Sequence, residues 1–495
     1  MGPKRARGSV PPVPSLVLSN NLAERNIGWP IPTHTRRTSL WDFQTRHLTP
    51  QPANVRKVRE QDVEWGETKT TSFRGPGTGP GLDKERNIVG WEGPHDLDNP
   101  KNWSRLRKWL VTVFLSLMAV TVSFASGVFG SAVAPTAKMF ETNTEVMTLG
   151  TSLFILGYAI SSLLFIPISE VHGRRIPLFL GFSIFAIFQI PVAVAKNIST
   201  ILVCRFLGGV CGFAPLVLVG GIFSDLWDPV DRVSPICFFV AVVFSALVGA
   251  PVIGELCTSS HLGWRWTTWL PAMVGLFLSI VGLFVVHETY PPVILRSKAN
   301  KIRRASKNWA FHAEVEEEEP NMLSVFYTHS VKPLALLISS PILLFTTIHI
   351  SLTSGILYLS LTRWNTTFAS VRGFTPISAA LPFLSIITGI ILGGLFTWLF
   401  TSSCNARTAL RPPSSTTTSP PPAPTIADDP EDNLLPMTIG GLALPASLFI
   451  FAWTSNPNIT WIPQVLAGVP FGFGVFCVIT QGTSPSALPF VAHPH

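Results

Sequence analysis

The sequence has few charged residues. Asp, Glu, Lys and Arg make up 13% of its 495 residues, whereas soluble domains contain about 25%. Hydrophobic residues make up 47%, and they recur in runs of about 20 residues, the length that an α-helix needs to cross a hydrocarbon core of about 30 Å. A soluble protein of this size would show amphipathic patterns instead. The shortage of charge therefore excludes a soluble domain and indicates a helical membrane protein.

Motifs for catalysis, metal binding and ATP binding are also missing. The six cysteines are scattered and form no C-x-x-C pair, so neither a metal site nor a disulfide framework is supported. The chain has no G-x-x-x-x-G-K-[ST] loop, no H-E-x-x-H and no G-x-S-x-G. We therefore expect no enzyme activity, no cofactor and no metal ion. The net charge of +8 does not indicate nucleic-acid binding, because half of the basic residues lie in a polar leader before Trp109.

Ten apolar runs have the length of membrane spans, six of them before a charged central segment and four after it. The predicted fold is an all-α polytopic membrane protein with two pseudo-symmetric halves. We predict a disordered N-terminal tail (1–108), a six-helix bundle (109–287), a central loop (288–332), an incomplete C-terminal bundle of four helices (333–481) with a Pro/Ser/Thr-rich loop (401–433), and a C-terminal tail (482–495). The predicted spans are Trp109–Gly130, Val146–Ile168, Ile176–Ala195, Ser199–Gly221, Pro235–Cys257, Thr268–Val286, Pro333–Leu359, Pro376–Phe400, Leu435–Trp453 and Trp461–Gln481.

The distribution of Lys and Arg predicts how the spans are oriented. If the basic leader is cytoplasmic, the loops on its side hold more Lys and Arg than the opposite loops, as the positive-inside rule requires. Both tails and the central loop are then cytoplasmic. Glycosylation sequons at Asn197, Asn365 and Asn458 fall in the predicted outer loops, close to the membrane boundaries.

A polar motif, SEVHGRR, lies between the second and third predicted spans at Ser169 to Arg175. Gly173 suits the sharp turn that this loop requires. The Glu170 carboxylate can pair with Arg174 and Arg175 across the turn, and can pair differently when the helices move. The same charges would also serve as a positive-inside anchor. The motif alone leaves both roles open.

This motif resembles the loop signature of the major facilitator superfamily, Gly-x-Leu-x-Asp-x-x-Gly-Arg-Arg. Glu170 stands in place of the usual Asp, and Ile166 in place of the first Gly. The Glu form is typical of the fungal drug:proton antiporters with twelve spans, which include polyamine exporters. The resemblance covers about residues 90 to 480 and is most specific in the first half. Further similar segments follow in order: Trp91 to Ser104, Arg205 to Pro215, Gly220 to Trp227, Gly263 to Trp266 and Glu288 to Pro292.

The resemblance implies a proton-coupled exporter of drugs, polyamines or other organic cations or toxins. Its partners would be the lipid bilayer, protons and a small organic substrate, without nucleic acid. We expect a monomer in the plasma membrane or the vacuolar membrane. Because ten spans are found where the resembled family has twelve, the second half is expected to be incomplete. A truncated, transport-inactive member that acts only as a binding or regulatory protein is the alternative.

Arg205 lies inside the fourth predicted span, about six residues or about 9 Å from its outer end. A guanidinium at that depth costs a few kcal/mol, so we expect it to face the bundle interior and to have a partner. Snorkelling of the side chain to the outer surface is the alternative. In the resembled family the matching arginine is associated with proton transfer. Asp225, at the inner end of the same span, also matches a family position and is predicted to interact with Arg174 or Arg175.

The fifth predicted span resembles the family's antiporter motif, Gly-x-x-x-Gly-Pro-x-x-Gly-Gly. Pro251 and Gly254 are kept and are predicted to bend the helix and to allow close packing, whereas Glu255 replaces the last Gly. Our hypothesis is that Arg205 and Glu255 pair in the outer half of the membrane, with Glu255 binding the coupling proton or a cationic substrate. The alternative is that Glu255 lies in water at the outer interface.

Overall fold

A computed structural model describes residues 87–317, 322–410 and 435–482. Ten of its helices are long and apolar enough to cross a membrane. Within the described residues the only β pairing is an isolated bridge between Ile88 and His312, so the predicted all-α fold is confirmed. Most of the predicted N-terminal tail, the loop 411–434 and the tail 483–495 lie outside the described residues. The spans, first to tenth, are Arg105–Met139, Thr144–His172, Arg175–Ala193, Ile198–Leu226, Val233–Ser259, Trp266–Val285, Pro341–Arg372, Pro376–Asn405, Leu435–Trp453 and Trp461–Thr480.

The seventh span begins and ends later than the sequence predicted. The predicted span Pro333–Leu359 is divided, because Lys332–Ser339 forms a separate helix and a new helix runs from Pro341 to Arg372. Ser340 is extended, as expected for a residue before proline, and Pro341 lacks the N–H that would continue the earlier helix. Asn365, predicted to lie in an outer loop, is therefore part of a helix.

Small residues bring the helices of the first half together. The first span packs against the fifth, and the second against the fourth. A Cβ atom on Gly127 would lie 2.7 Å from the carbonyl oxygen of Leu247, and one on Gly157 would lie 2.6 Å from the backbone nitrogen of Val210. Such contacts tolerate only glycine, so the helix backbones can approach closely.

The second half is joined to the first through the fifth and eighth spans. The eighth and ninth spans both pack against the tenth, and Gly474 lies so close to Gly440 that a Cβ on Gly474 would be 2.7 Å from the Gly440 carbonyl oxygen. Leu247 and Val248 of the fifth span share an apolar cluster with Phe383 of the eighth span. The two halves therefore meet along the fifth span, which also carries Glu255.

The segment 87–103, here called the inner strap, is ordered, although the sequence predicted a disordered tail as far as residue 108. It packs against the helix Pro291–Ser306, here called the linker helix, inside the segment that was predicted to be a loop. Val89 forms a small apolar cluster with Ala299 and Ala313. The strap thus has an apolar contact of its own, which its polar composition did not reveal.

Two ion pairs also hold the inner strap on the linker helix. The Lys298 ammonium lies 2.9 Å from a carboxylate oxygen of Glu92 and 2.9 Å from one of Asp96. The backbone N–H of Val89 donates to the carbonyl oxygen of His312 at 2.8 Å. The strap is therefore held by the ion pairs of Lys298 and by the backbone hydrogen bond between Val89 and His312.

Replacing Lys298 by Ala is expected to loosen the inner strap, because both ion pairs are lost at once. The amide of Val89 should then exchange about threefold to tenfold faster with deuterium, since the pair with the exposed Glu92 contributes little and most of the effect comes from the pair with Asp96. Hydrogen-exchange mass spectrometry of the strap measures this. Lys301→Ala is the matched control, because Lys301 is exposed on the same helix. Unchanged exchange in Lys298→Ala would show that the backbone contacts suffice.

The same strap should respond to pH. Two backbone N–H groups and the Lys298 ammonium lower the pKa of Asp96 to about 2. The stability that the Asp96 carboxylate contributes to the strap is complete above about pH 4, its pKa in the unfolded chain, and is lost as the pH falls toward 2. The Ala310 carbonyl oxygen and the Glu317 carboxylate raise the pKa of His312. That contribution is complete below about pH 6.5 and is lost as the pH rises through the raised pKa. Exchange in the strap, corrected for its intrinsic rate, should be slowest between about pH 4 and 6.5; protection that increases above neutral pH would contradict this.

Candidate functional site

The turn between the second and third spans has no room for a side chain at Gly173. Its φ is +86°, a conformation that L-residues rarely adopt. A Cβ atom at this position would also lie 2.6 Å from a carboxylate oxygen of Glu288. Gly173 is therefore required both by the backbone conformation and by the close approach of Glu288.

Arg174 is the centre of a buried charge cluster at this end of the bundle. Its Nη1 lies 3.0 Å from a carboxylate oxygen of Glu170, and its Nε lies 3.6 Å from Asp225 Oδ2. Burial disfavours the charged guanidinium, but the two carboxylates outweigh burial and raise the pKa of Arg174. The structure thus places Arg174 beside both predicted partners. The distance from Arg174 Nε to Asp225 Oδ2 is longer than a hydrogen bond. Arg174 and Asp225 can therefore move apart without breaking a hydrogen bond between them.

Glu288 uses main-chain rather than side-chain partners to join the sixth span to the third. Its Oε1 accepts from the backbone N–H of Arg174 at 3.0 Å, and its Oε2 accepts from that of Arg175 at 3.2 Å. A carboxylate at the N-terminus of a helix is favoured by the free N–H groups and the helix dipole. Glu288 therefore fixes the start of the third span, a role that the sequence did not assign to it.

Tyr290 and Arg175 complete this end of the bundle. The Tyr290 hydroxyl donates to Glu170 Oε2 at 2.7 Å, and burial together with the Glu170 carboxylate raises the pKa of Tyr290, so the phenol stays protonated. Arg175 donates through Nη2 to the carbonyl oxygen of Leu283. Of the two arginines in the motif, only Arg174 contacts Asp225. The predicted role of this cluster in gating stays a prediction.

Arg205 is completely buried in the first half. Its Nη1 donates to the carbonyl oxygen of Ala125 at 3.0 Å, and its Nε to that of Gly150 at 3.4 Å. The guanidinium carbon lies 4.1 Å from the ring centre of Phe129 and 4.6 Å from that of Phe154, within the range of cation–π attraction. As expected, the side chain faces the interior of the bundle, but its partners are neutral.

Glu255 contacts the second half of the chain instead of Arg205. Asn365 of the seventh span donates from Nδ2 to Glu255 Oε1 at 2.9 Å. The predicted ion pair between Arg205 and Glu255 is therefore wrong in this structure, since one side chain is bonded inside the first half while the other reaches across to the second. Asn365 is partly buried in this contact, a poor position for a glycosylated residue.

Pro251 and Gly254 lie where the fifth span packs against the first. The carbonyl oxygen of Pro251 accepts from the Ser131 hydroxyl at 3.3 Å, and a Cβ on Gly254 would lie 2.7 Å from the same Ser131 oxygen. The helix continues through Pro251 without interruption, from Val233 to Ser259. The packing at Gly254 positions Glu255, the next residue, toward the seventh span.

The predicted site residues thus form separate groups. Glu170, Gly173, Arg174 and Asp225 come together at one end, whereas the hydrogen bonds of Arg205 and of Glu255 go to other residues and do not join the two to each other. Asn365 was not recognised because the seventh span was predicted to end before it. Among the described residues, no three His, Cys, Asp or Glu side chains are placed to hold a metal ion.

This fold, with ten spans in two groups and polar contacts at their ends and between them, defines a multi-pass membrane protein of the transporter class. The chain belongs to the Major Facilitator Superfamily, because the sequence model of that family matches residues 115–492. The predicted family is confirmed, and the protein is a membrane transporter, not an enzyme.

Comparisons with individual proteins agree. The chain is 38% identical over 408 residues to the MFS-type transporter acdC of Aspergillus candidus, covering 81% of this chain and 76% of that one. It is 38% identical over 399 residues to the citrinin biosynthesis cluster MFS transporter mrr1 of Monascus ruber, covering 80% and 77%. Among solved structures, the MFS proton:xylose symporter XylE matches with a TM-score of 0.50 and 14% identity, covering 78% of this chain and 84% of that one. At that identity the match supports the fold alone.

Proposed function

We propose that this transporter exports a small organic molecule between its two halves, driven by protons that move in the opposite direction. The observation that carries the proposal is the hydrogen bond between Glu255 and Asn365, at 2.9 Å. It joins the two halves through a carboxylate, the kind of group that can gain and lose a proton during a transport cycle.

Glu255 differs from the other carboxylates in the described spans. Glu170 and Asp225 both lie beside Arg174, and Glu145 is an exposed residue at the start of the second span. Glu255 is half-buried, and its inter-half partner is a neutral amide. An ion pair resists protonation of its acid more strongly than a single hydrogen bond from a neutral amide does. Glu255 is therefore the described carboxylate best suited to bind a coupling proton.

Protonation of Glu255 would weaken the contact between the halves. Hydrogen bonds to an ionised acceptor are roughly twice as strong as those between neutral groups. Proton binding therefore loosens the Glu255–Asn365 bond and lets the halves separate at this end. Release of the proton restores the bond and closes the same end. This is the coupling that an antiporter requires, because the two conformations then differ in their affinity for protons.

Export from cells that express the chain tests this function. A panel of fluorescent organic compounds is loaded with and without a protonophore, and the proton flux on substrate addition is followed with a pH-sensitive dye. Export that stops when the proton gradient is collapsed, together with substrate-induced proton movement, is expected. Export that persists without the gradient would overturn proton coupling. No export in either condition would support the transport-inactive alternative.

The polyamines, other organic cations and toxins that the sequence resemblance implies are all candidate substrates of the proposed exporter. The names of the relatives do not distinguish among these classes. We place the protein in the plasma membrane or the vacuolar membrane, as a monomer. Localisation of a fluorescent fusion and the mass of the detergent-solubilised protein test these two points.

A further inference from the structure

The two halves meet at a cluster of hydroxyl groups, here called the tyrosine cluster and formed by Ser126, Tyr158 and Tyr358. The sequence contains only four tyrosines, and two of them lie here, one from each half. The Ser126 hydroxyl is 3.4 Å from the Tyr358 hydroxyl. The Tyr158 hydroxyl donates to the carbonyl oxygen of Val122 at 3.4 Å. The first, second and seventh spans therefore place three hydroxyl groups near one another.

These hydroxyl groups are suited to exchange their present partners for a ligand. Both distances exceed the range of about 2.5–3.0 Å that is usual for O–H···O hydrogen bonds, so the bonds are weak. Tyr158 and Tyr358 each keep part of their surface accessible, whereas Ser126 is buried. The Tyr158 ring is stacked on Phe213, with centroids 4.3 Å apart and planes at 18°. The site thus offers a flat aromatic surface beside several hydrogen-bonding groups.

Arg205 is a buried positive charge close to this cluster, and within the part of the chain that the structure describes no ion pair joins it to a carboxylate. Phe154 separates the two features, because its ring packs against Tyr158 with centroids 5.3 Å apart and also lies under the Arg205 guanidinium. Arg205 Nη2 has no hydrogen-bond partner in the described structure. The hydrogen bonds that Arg205 makes go to neutral carbonyl oxygens. A buried cation without a counter-ion is costly in a membrane, and it attracts an anion to this part of the bundle.

We infer that the tyrosine cluster binds planar aromatic molecules that carry an acidic group, as a carboxylate or a phenolate. The aromatic part would stack beside Phe213, oxygen atoms would bond to the tyrosine hydroxyls, and the negative charge would lie toward Arg205. Polyamines and other organic cations fit this part of the protein poorly, because like charges repel and the bond partners of Arg205 supply no compensating carboxylate. The inference adds a substrate class to the proposed function. That such molecules are transported rests on the proposed function, whereas their binding at the tyrosine cluster does not.

A matched pair of dyes tests this class of ligand. Fluorescein and rhodamine 123 share a planar xanthene core, but fluorescein is an anion and rhodamine 123 a cation. Fluorescence anisotropy with the purified full-length chain should show that fluorescein binds at least about tenfold more tightly, as expected when one ligand is attracted and the other repelled. Equal or tighter binding of rhodamine 123 would overturn the inference.

Conservative variants test whether the dye binds at this cluster. Tyr158→Phe and Tyr358→Phe keep the rings and remove only the hydroxyl groups, and each should weaken fluorescein binding about fivefold, as the loss of one hydrogen bond does. Tyr327→Phe is the matched control, because Tyr327 is 56% exposed and lies outside the spans. Unchanged binding in both cluster variants would overturn the assignment of the site.

Transport of the same dyes separates this inference from the proposed function. If fluorescein binds with the expected variant effects but neither fluorescein nor any other compound of the panel is exported by cells, the site is upheld and the proposed export is wrong. If rhodamine 123 or spermidine is exported in a proton-dependent way while fluorescein does not bind, the export is upheld and the inferred ligand class is wrong.

Discussion

Glu255→Gln is expected to abolish proton-driven export while leaving the protein folded and able to bind substrate. The Gln side chain has the same length, and its amide oxygen can accept the same hydrogen bond from Asn365. What it cannot do is gain and lose a proton. Export driven by a pH gradient should therefore fall by about a hundredfold, the usual consequence of losing a positioned proton-transfer group.

Two transport modes distinguish coupling from structural damage. In proteoliposomes, uptake driven by an imposed pH gradient requires the proton step, whereas exchange of labelled for unlabelled substrate at equal pH does not. Glu255→Gln should lose the first and keep the second. Loss of both would show that Glu255 serves binding or folding, and retention of both would remove Glu255 from the coupling mechanism.

Glu145→Gln is the matched control for this variant. Glu145 is a second glutamate in the first half, but it is exposed at the start of the second span, and its replacement should leave both transport modes unchanged. Asn365→Leu provides a further comparison, because it removes the partner while leaving Glu255 able to titrate. Proton-driven export should then be reduced but still respond to the gradient.

The charge cluster around Arg174 was predictable from the sequence because its geometry is mostly local. Glu170 and Arg174 are four residues apart at the end of a helix, a spacing that brings side chains together. Asp225 was expected nearby through the resemblance to a family motif. The number of spans was likewise predictable, since length and the absence of charge define a span without any knowledge of its neighbours.

The contacts of Arg205 and Glu255 were not predictable in this way. Arg205 was expected to need a buried partner, and opposite charge suggested that Glu255 would be that partner. Which way a helix faces depends on packing, and Gly254 and Ser131 turn the Glu255 side of the fifth span toward the seventh. Asn365 is 110 positions away, on a helix whose end had been placed too early. Sequence reasoning had no means to set the register between two halves of a bundle.

The inner strap shows a different limit. Its polar composition predicted disorder, yet it is held on the linker helix by Lys298, and the backbone N–H of Val89 bonds to His312, which follows that helix. The partners of the strap are supplied by a segment about 200 residues later, as the separation of Asp96 and Lys298 shows. The composition of a segment indicates how much apolar surface the segment can bury by itself. It does not indicate whether distant residues provide a surface on which the segment can pack.

Gly221→Ala is expected to disrupt the Arg174 cluster from the opposite helix. A Cβ atom on Gly221 would lie 2.8 Å from the guanidinium carbon of Arg174 and 3.0 Å from its Nε, so the guanidinium must move away from Asp225. Asp225 would then be left as a buried carboxylate without its cation. Breaking a buried ion pair in this way costs about 3 kcal/mol or more, and we expect a lower unfolding temperature and a loss of export of about tenfold or more.

The neighbouring glycine provides a control that differs only in its surroundings. Gly220 is on the same helix, and a Cβ atom there would meet no atom within 4 Å. Gly220→Ala should therefore leave both stability and export close to those of the unmodified chain. Equal effects of the two substitutions would show that helix content, and not the contact with Arg174, explains the loss.

A double-mutant cycle identifies Arg174 as the group that Gly221→Ala displaces. Arg174→Gln removes the guanidinium atoms that the new methyl group would meet, so in that background Gly221→Ala should cost little further stability or export. The two changes would then be strongly non-additive, as expected for residues in direct contact. Thermal unfolding of the four purified variants and their export rates supply the cycle. If Gly221→Ala had the same effect in both backgrounds, the loss would not come from displacement of Arg174, and the proposed reason for a glycine at position 221 would be wrong.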